Sequence, residues 1–186
     1  MNRCIVTYAA GAHEELLDIS LPRYEEFAKK HGYDLVVGEK LTDMPPAWNK
    51  VPLLLEALNR YDAAVWLDCD LVIVDTTQDF PPLAPGKLHS LVRHFESDSE
   101  VPNSGVWVLT QACRSLLEAM SQLTVFTDHG WWEQAALMTL MGYCVPPQGS
   151  VFPKTKCRCV HATSWHSDCQ FMRVKYNSHP NYKAET

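Results

Sequence analysis

The chain has 186 residues, 46% of them hydrophobic and 20% charged, enough for one folded domain with a substantial core. A net charge of -6 offers no basic stripe to neutralise a phosphate backbone, so nucleic acid is not an expected partner, and a polyanionic small ligand would need a cation as bridge. No apolar run is long enough to span a bilayer, no charged leader with an apolar core opens the chain, and seven scattered cysteines suit reduced thiols, so a cytoplasmic location is expected.

In chain order, Arg3 to Tyr8 reads as a first strand, followed by the small residues Ala9, Ala10 and Gly11, which let a ligand approach the backbone. Ser20 and Pro22 resemble an N-cap with proline in the first turn, and Tyr24, Phe27, Ala28 and His31 share a helical face that ends at Gly32. Tyr33 to Val37 is a short strand. After Pro45 and Pro46, residues Trp48, Val51, Leu55 and Leu58 predict a second helix, with Pro52 near its first turn.

The stretch Ala63 to Thr76 is a strand interrupted by Asp68, Cys69 and Asp70 that resumes as Leu71 to Val74. Its continuous apolar character predicts a strand covered on both faces, hence α/β architecture. Phe80 to Gly86 is loop and Leu88 to Arg93 a further strand. Asn103, Ser104 and Gly105 open a β-branched strand through Thr110. Ala112 to Leu123 and Trp131 to Met141 have helical periodicity. The remainder reads as a strand at Tyr143 to Val145, a turn at Pro146 to Gly149, an alternating strand from Cys157 to Thr163 and a last helix from about Ser167 to Tyr176. This order predicts a doubly wound start that becomes a mixed, mainly parallel sheet, with ligands at the carboxyl ends of the early strands.

Two ionised carboxylates in an apolar run are costly unless paired or bound to a metal. In an extended segment residues i and i+2 project the same way, so Asp68 and Asp70 would converge as hard oxygen ligands suited to Mg²⁺ or Mn²⁺. The plain alternative is a pair of solvated carboxylates at a strand end.

The segments RCIVTYAAG, HGYD, AWNKVPLLLEAL, AAVWLDCDLVIVD, PNSGVWVLT and WWEQAAL, in that order over most of residues 3 to 141, resemble the GT-A glycosyltransferases. The similarity is greatest to the small retaining galactosyl-, mannosyl- and xylosyltransferase family and the glycogenin-like enzymes. The resemblance implies a Rossmann-like GT-A domain over residues 1–186, its nucleotide-binding half at 1–76 and its donor-sugar and acceptor half at 77–186. It further implies a nucleotide-diphosphate sugar donor and an unknown sugar, lipid or protein acceptor.

On that resemblance Thr7, Tyr8 and Ala9 hold the nucleoside, and Asp68 and Asp70 position Mn²⁺ or Mg²⁺ on the diphosphate, Asp68 being also a candidate contact to the ribose. Asn103, Ser104 and Gly105 approach the donor sugar, although these residue types also make an ordinary turn. Glu133 and Gln134 match an acidic-Gln pair beside the reacting sugar. Retention follows either from double displacement with Glu133 as nucleophile or from same-face attack with Gln134 stabilising the oxocarbenium ion. Asp128 is a sugar contact or a helix cap.

His161 is the third metal ligand implied by position, and His179 an alternative. The sequence departs from the family there, carrying Ala162, Thr163, Ser164, Trp165 and His166 where a glycine and a lysine are usual. Lys50, Arg173 and Lys175 are candidate diphosphate contacts, and Trp131, Trp132 and Trp165 candidate acceptor-stacking residues or core. Three rival readings stand beside this one. They are a zinc site drawn from Cys157, Cys159, His161, His166 and Cys169, an aspartate-nucleophile phosphatase, and a non-catalytic nucleotide-sugar-binding module.

Overall fold

The computed structural model describes residues 1–96, 99–145, 157–173 and 176. Six strands form one sheet: β1 (Arg3–Thr7), β2 (Asp34–Val37), β3 (Ala63–Leu67), β4 (His89–Glu96), β5 (Ser99–Thr110) and β6 (Cys169–Met172). The order across the sheet is β2-β1-β3-β5-β4-β6. β1 pairs in parallel with both β2 and β3, β6 runs parallel to β4, and β5 alone is antiparallel to its neighbours β3 and β4. The sheet is therefore mixed and mainly parallel, as the apolar run at β3 predicts.

All five residues of β3 are buried, and their alternation divides them between two cores. Ala64 and Trp66 face a cluster with Trp48, Leu54, Trp107 and Leu116, whereas Val65 and Leu67 face one with Ile5, Tyr24 and Phe27. The first core is covered by the helices α2 (Lys50–Ala57), α3 (Arg114–Ser121) and α4 (Trp132–Leu140), the second by α1 (Glu14–His31). A short α5 (Ser164–Ser167) precedes β6. No helix among the described residues is long and apolar enough to cross a membrane.

Several sequence expectations are corrected. α1 starts at Glu14, well before Ser20, because Glu14 Oε1 accepts the Gly11 amide at 3.1 Å in the manner of a capping box. Ser20 and Pro22 lie inside this helix, and the Ser20 hydroxyl is 2.7 Å from the carbonyls of both Leu16 and Cys69. The helix ends as expected at Gly32, whose φ of 70° favours glycine.

The strand does not resume after Asp70. Among the described residues Leu71 to Val74 have no neighbouring strand, and α1 side chains bond the carbonyls of Leu71, Ile73 and Val74 instead. Tyr24 Oη lies 2.6 Å from the Leu71 carbonyl, and Arg23 donates to those of Ile73 at 2.9 Å and Val74 at 3.1 Å. Asn103 to Gly105 lie within β5 and are not a turn before it.

At the C-terminal side, Cys169 to Met172 is a strand where helix was expected, because the open edge of β4 offers the backbone a ladder. Cys157 to Thr163 contributes only an isolated bridge between Cys159 and Tyr143. The turn expected at Pro146 to Gly149, together with Lys175 and His179, lies outside the described residues.

His89 joins β4 to the tail. Trp107 Nε1 donates to its Nδ1 at 3.1 Å, so Nε2 carries the proton and donates to the Trp165 carbonyl at 3.0 Å. The ring is thereby neutral, and burial lowers its pKa from the ordinary 6.5, against the opposing effect of its hydrogen bond to the Trp165 carbonyl. The unfolded chain accordingly takes up this proton first as pH falls. Urea denaturation is expected to show the His89 contribution intact above about pH 6.5 and declining below it until the folded ring also protonates. A His89→Gln variant should lose part of that slope; an unchanged slope would refute the assignment.

Candidate active site

The site forms where β3 ends. The antiparallel register sets Leu67 opposite Val106, and pairing continues one step as the Asp68 amide donates to the Gly105 carbonyl at 2.9 Å. The DxD residues and the Asn103 to Gly105 segment are thus adjacent by sheet geometry. Asp68 begins a turn closed by the Leu71 amide on its carbonyl at 3.1 Å, with Cys69 and Asp70 in the middle. The two carboxylates reach one cleft through this turn, not through the alternation of an extended strand. The cleft measures about 500 Å³.

Lys50, the first residue of α2, connects the parts. Its side chain is 3% exposed, with Nζ 2.7 Å from Glu133 Oε1, 3.2 Å from Asp68 Oδ1 and 3.0 Å from Ser104 Oγ. Burial by itself would lower its pKa, but the charges of Asp68 and then Glu133 outweigh that and hold it above the ordinary 10.5, so it remains an ammonium. Ser104 Oγ also donates to Glu133 Oε1 at 3.0 Å, and the Ser104 amide donates to Gln134 Oε1 at 3.1 Å. Trp66 Nε1 donates to Asp68 Oδ1 at 2.6 Å, and its ring centroid lies 5.3 Å from Lys50 Nζ. The Trp66 role was missed, since an indole in an apolar strand reads as core; only its place two residues before Asp68 hints at it.

Of the residues singled out from sequence, Tyr8, Ala9, Lys50, Asp68, Asp70, Ser104, Trp131, Trp132, Glu133 and Gln134 line the cleft. Thr7 does not: it is fully buried, and among the described residues its hydroxyl has no hydrogen-bond partner. The Asn103 side chain turns back to accept the Gly105 amide at 2.8 Å. Arg173 is exposed beyond β6 and is not part of the cleft lining. Asp128 is exposed ahead of α4, whose N-cap position is Trp131, so it does not cap that helix.

His161 is also elsewhere. Its amide meets the Gly142 carbonyl at 3.2 Å, beyond the C-terminus of α4, whereas the N-terminus of that helix faces the cleft. The nine residues of α4 separate the two by roughly 13 Å. Among the described residues no three His, Cys, Asp or Glu side chains converge on a common metal position, which also removes the cysteine-rich zinc reading there. Cys157 Sγ instead meets the Cys144 carbonyl at 3.0 Å, and His166 Nε2 lies 3.4 Å from Tyr143 Oη.

Residues 5–106, more than half of the chain, match the profile of the galactosyl transferase GMA12/MNN10 family. The chain belongs to that family. The match includes Lys50, Asp68, Asp70 and Asn103 to Gly105, and ends before Glu133 and Gln134. No curated protein matches this family member.

Among solved structures, a glycosyltransferase involved in glycosylation of the major capsid of PBCV-1 is similar, with TM-score 0.64 at 14% identity over 74% of each chain. Apo GlyE from Streptococcus pneumoniae TIGR4 gives TM-score 0.56 at 13% identity over 76% of this chain and 44% of its own, so this chain spans under half of GlyE. A mutant Drosophila β1,4-galactosyltransferase 7, in complex with manganese, UDP-Gal and xylobiose, gives TM-score 0.52 at 12% identity over 100% of this chain and 82% of its own. These likenesses establish the fold of the family member as GT-A.

Proposed function

We propose that this protein is a metal-dependent, retaining hexosyl- or pentosyltransferase that takes its sugar from a nucleotide-diphosphate donor. The observation that carries the reading is the convergence of Asp68, Asp70, Lys50, Ser104, Glu133 and Gln134 on one cleft. Residues from both sequence halves, 1–76 and 77–186, are needed to build it. Tyr8 and Ala9 flank the nucleoside end, where small side chains leave room for a base and ribose.

The carboxylates suit Mn²⁺ or Mg²⁺, which bind through one or two carboxylates while substrate phosphates and water complete the shell. Asp70 is exposed and makes no side-chain hydrogen bond among the described residues, which leaves it available as a ligand. Asp68 Oδ1 is held by Trp66 and Lys50, which orients the carboxylate. A cation held by Asp68 and Asp70 would supply neutralisation of the charge that builds on the leaving diphosphate. The fixed ammonium of Lys50 adds positive charge on the same side, in a buried setting that strengthens it.

Same-face attack is the favoured route to retention. Glu133 is 3% exposed, and its Oε1 is engaged by both Lys50 and Ser104, as befits a group that positions neighbours. Gln134, anchored through Oε1 on the Ser104 amide, retains its NH₂ group for the donor sugar. All seven cysteines are free thiols, consistent with the reducing cytoplasm in which we place the protein.

A thermal-shift screen of nucleotide sugars with and without Mn²⁺ tests the reading. A ligand that binds only the folded state at a hundred times its Kd stabilises it by about 2.7 kcal/mol. The expected result is a Tm rise with one or a few nucleotide sugars that requires Mn²⁺ and is followed by transfer or donor hydrolysis. Binding without either reaction would favour the non-catalytic module, and no shift with any donor would sink the proposal.

A further inference from the structure

We infer that Trp132 is the acceptor platform of this cleft, and that the acceptor is a saccharide presenting the apolar face of a pyranose ring. The inference rests on the glycosyl-transfer reading above and deepens it. Of the six tryptophans, Trp132 alone is exposed, at 43%, whereas Trp48, Trp66 and Trp107 are at most 3% exposed. It lines the mouth of the cleft. Its φ of 40° makes it the non-glycine residue of positive φ among those described, a costly conformation for a bulky side chain.

The surrounding structure enforces that conformation. His129, only 7% exposed, takes the Trp131 amide on Nδ1 at 3.0 Å and the Trp132 amide on its carbonyl at 2.9 Å. Its ring packs edge-on between Phe126 at 5.7 Å and Trp131 at 6.0 Å. On the other side the amides of Gln134 and Ala135 close on the Trp131 carbonyl at 2.9 and 3.2 Å. An internal clamp thus keeps an exposed indole on a strained backbone, the pattern found where strain serves a ligand.

The position suits an acceptor. Trp132 immediately precedes Glu133 and Gln134, so a ring stacked on the indole sits beside the donor-sugar end of the cleft. The C–H bonds on one pyranose face, polarised by adjacent oxygens, pack on the electron-rich indole, while the ring hydroxyls need polar neighbours. His13, in the same lining, is placed to supply one.

Saturation-transfer NMR with xylobiose, lactose, cellobiose and mannobiose, with and without UDP and Mn²⁺, tests this apart from catalysis. Wild type is expected to transfer saturation to the C–H protons of one pyranose face in at least one disaccharide, and Trp132→Ala to lose it. Trp132→Phe should keep a weakened signal. In turnover, Trp132→Ala should raise acceptor KM at least tenfold and change donor KM less than twofold. Equal changes in both KM values, an unaltered NMR signal in Trp132→Ala, or no signal in wild type would overturn the assignment. Failure of the donor thermal shift would instead count against glycosyl transfer itself.

Discussion

Replacing Lys50 by Met is expected to remove about 3–5 kcal/mol of folding stability and to abolish transfer. The ammonium lies between Glu133 at 2.7 Å and Asp68 at 3.2 Å, with Glu133 itself buried. Without Lys50 the Glu133 charge has no counterion in a place water reaches poorly, which is the costly half of a buried ion pair. For a domain of this length the loss corresponds to a fall in Tm of roughly 6–20 °C.

The double variant Lys50→Met/Glu133→Leu separates stability from function. Replacing a whole buried ion pair with apolar groups of similar volume is often neutral, so most of the lost stability should return while transfer stays absent. Thermal melts of wild type, both single variants and the double variant measure the coupling as a cycle. If Lys50→Met melts within about 2 °C of wild type, or if the double variant is no more stable than Lys50→Met, the coupled pair is refuted.

Asp70→Asn is expected to have the opposite profile. Its side chain is exposed and makes no hydrogen bond among the described residues, so the ligand-free Tm should stay within about 2 °C of wild type. The Mn²⁺-dependent donor shift should vanish. Transfer should fall at least about 10³-fold, because loss of several kcal/mol of charge neutralisation removes a factor of ten per 1.4 kcal/mol. Asp68→Asn is less informative, since it also disturbs the bonds to Trp66 and Lys50. Retained metal-dependent binding and transfer in Asp70→Asn would show that this carboxylate is not a ligand.

The two variants probe different parts of one site. Lys50 is buried among its parts, and Asp70 is exposed in the cleft. The proposed reaction needs both, because on that reading the metal-binding carboxylates come from the end of β3 while Glu133 and Gln134 come from α4, far along the chain. Lys50 spans these segments through contacts to residues 18 and 83 positions further along the chain.

Local chemistry sufficed for much of this. Five consecutive apolar residues ahead of two aspartates read as a strand buried on both faces and ending at a polar edge, and the structure has that at Ala63 to Leu67. The helix stop at Gly32, the loop at Phe80 to Gly86 and the helical faces of α3 and α4 follow from equally short-range rules. Elements whose form depends on a distant neighbour were misread. Leu71 to Val74 has strand composition but no strand to pair with among the described residues, and Cys169 to Met172 becomes strand by pairing with the edge of β4.

The site divides in the same way. Residue types and order in the sequence determined that Asp68, Asp70, Ser104, Glu133 and Gln134 belong together, because chemistry and family likeness are carried by identity and spacing. Only the tertiary structure decided that Lys50 is buried among them and that Trp66 orients Asp68. It likewise set His161 at the far end of α4 and the indole of Trp132 outward on a strained backbone. Charge pairing, burial and backbone strain arise between residues remote in the chain, and their energies exist only once the fold has brought those residues within a few ångströms.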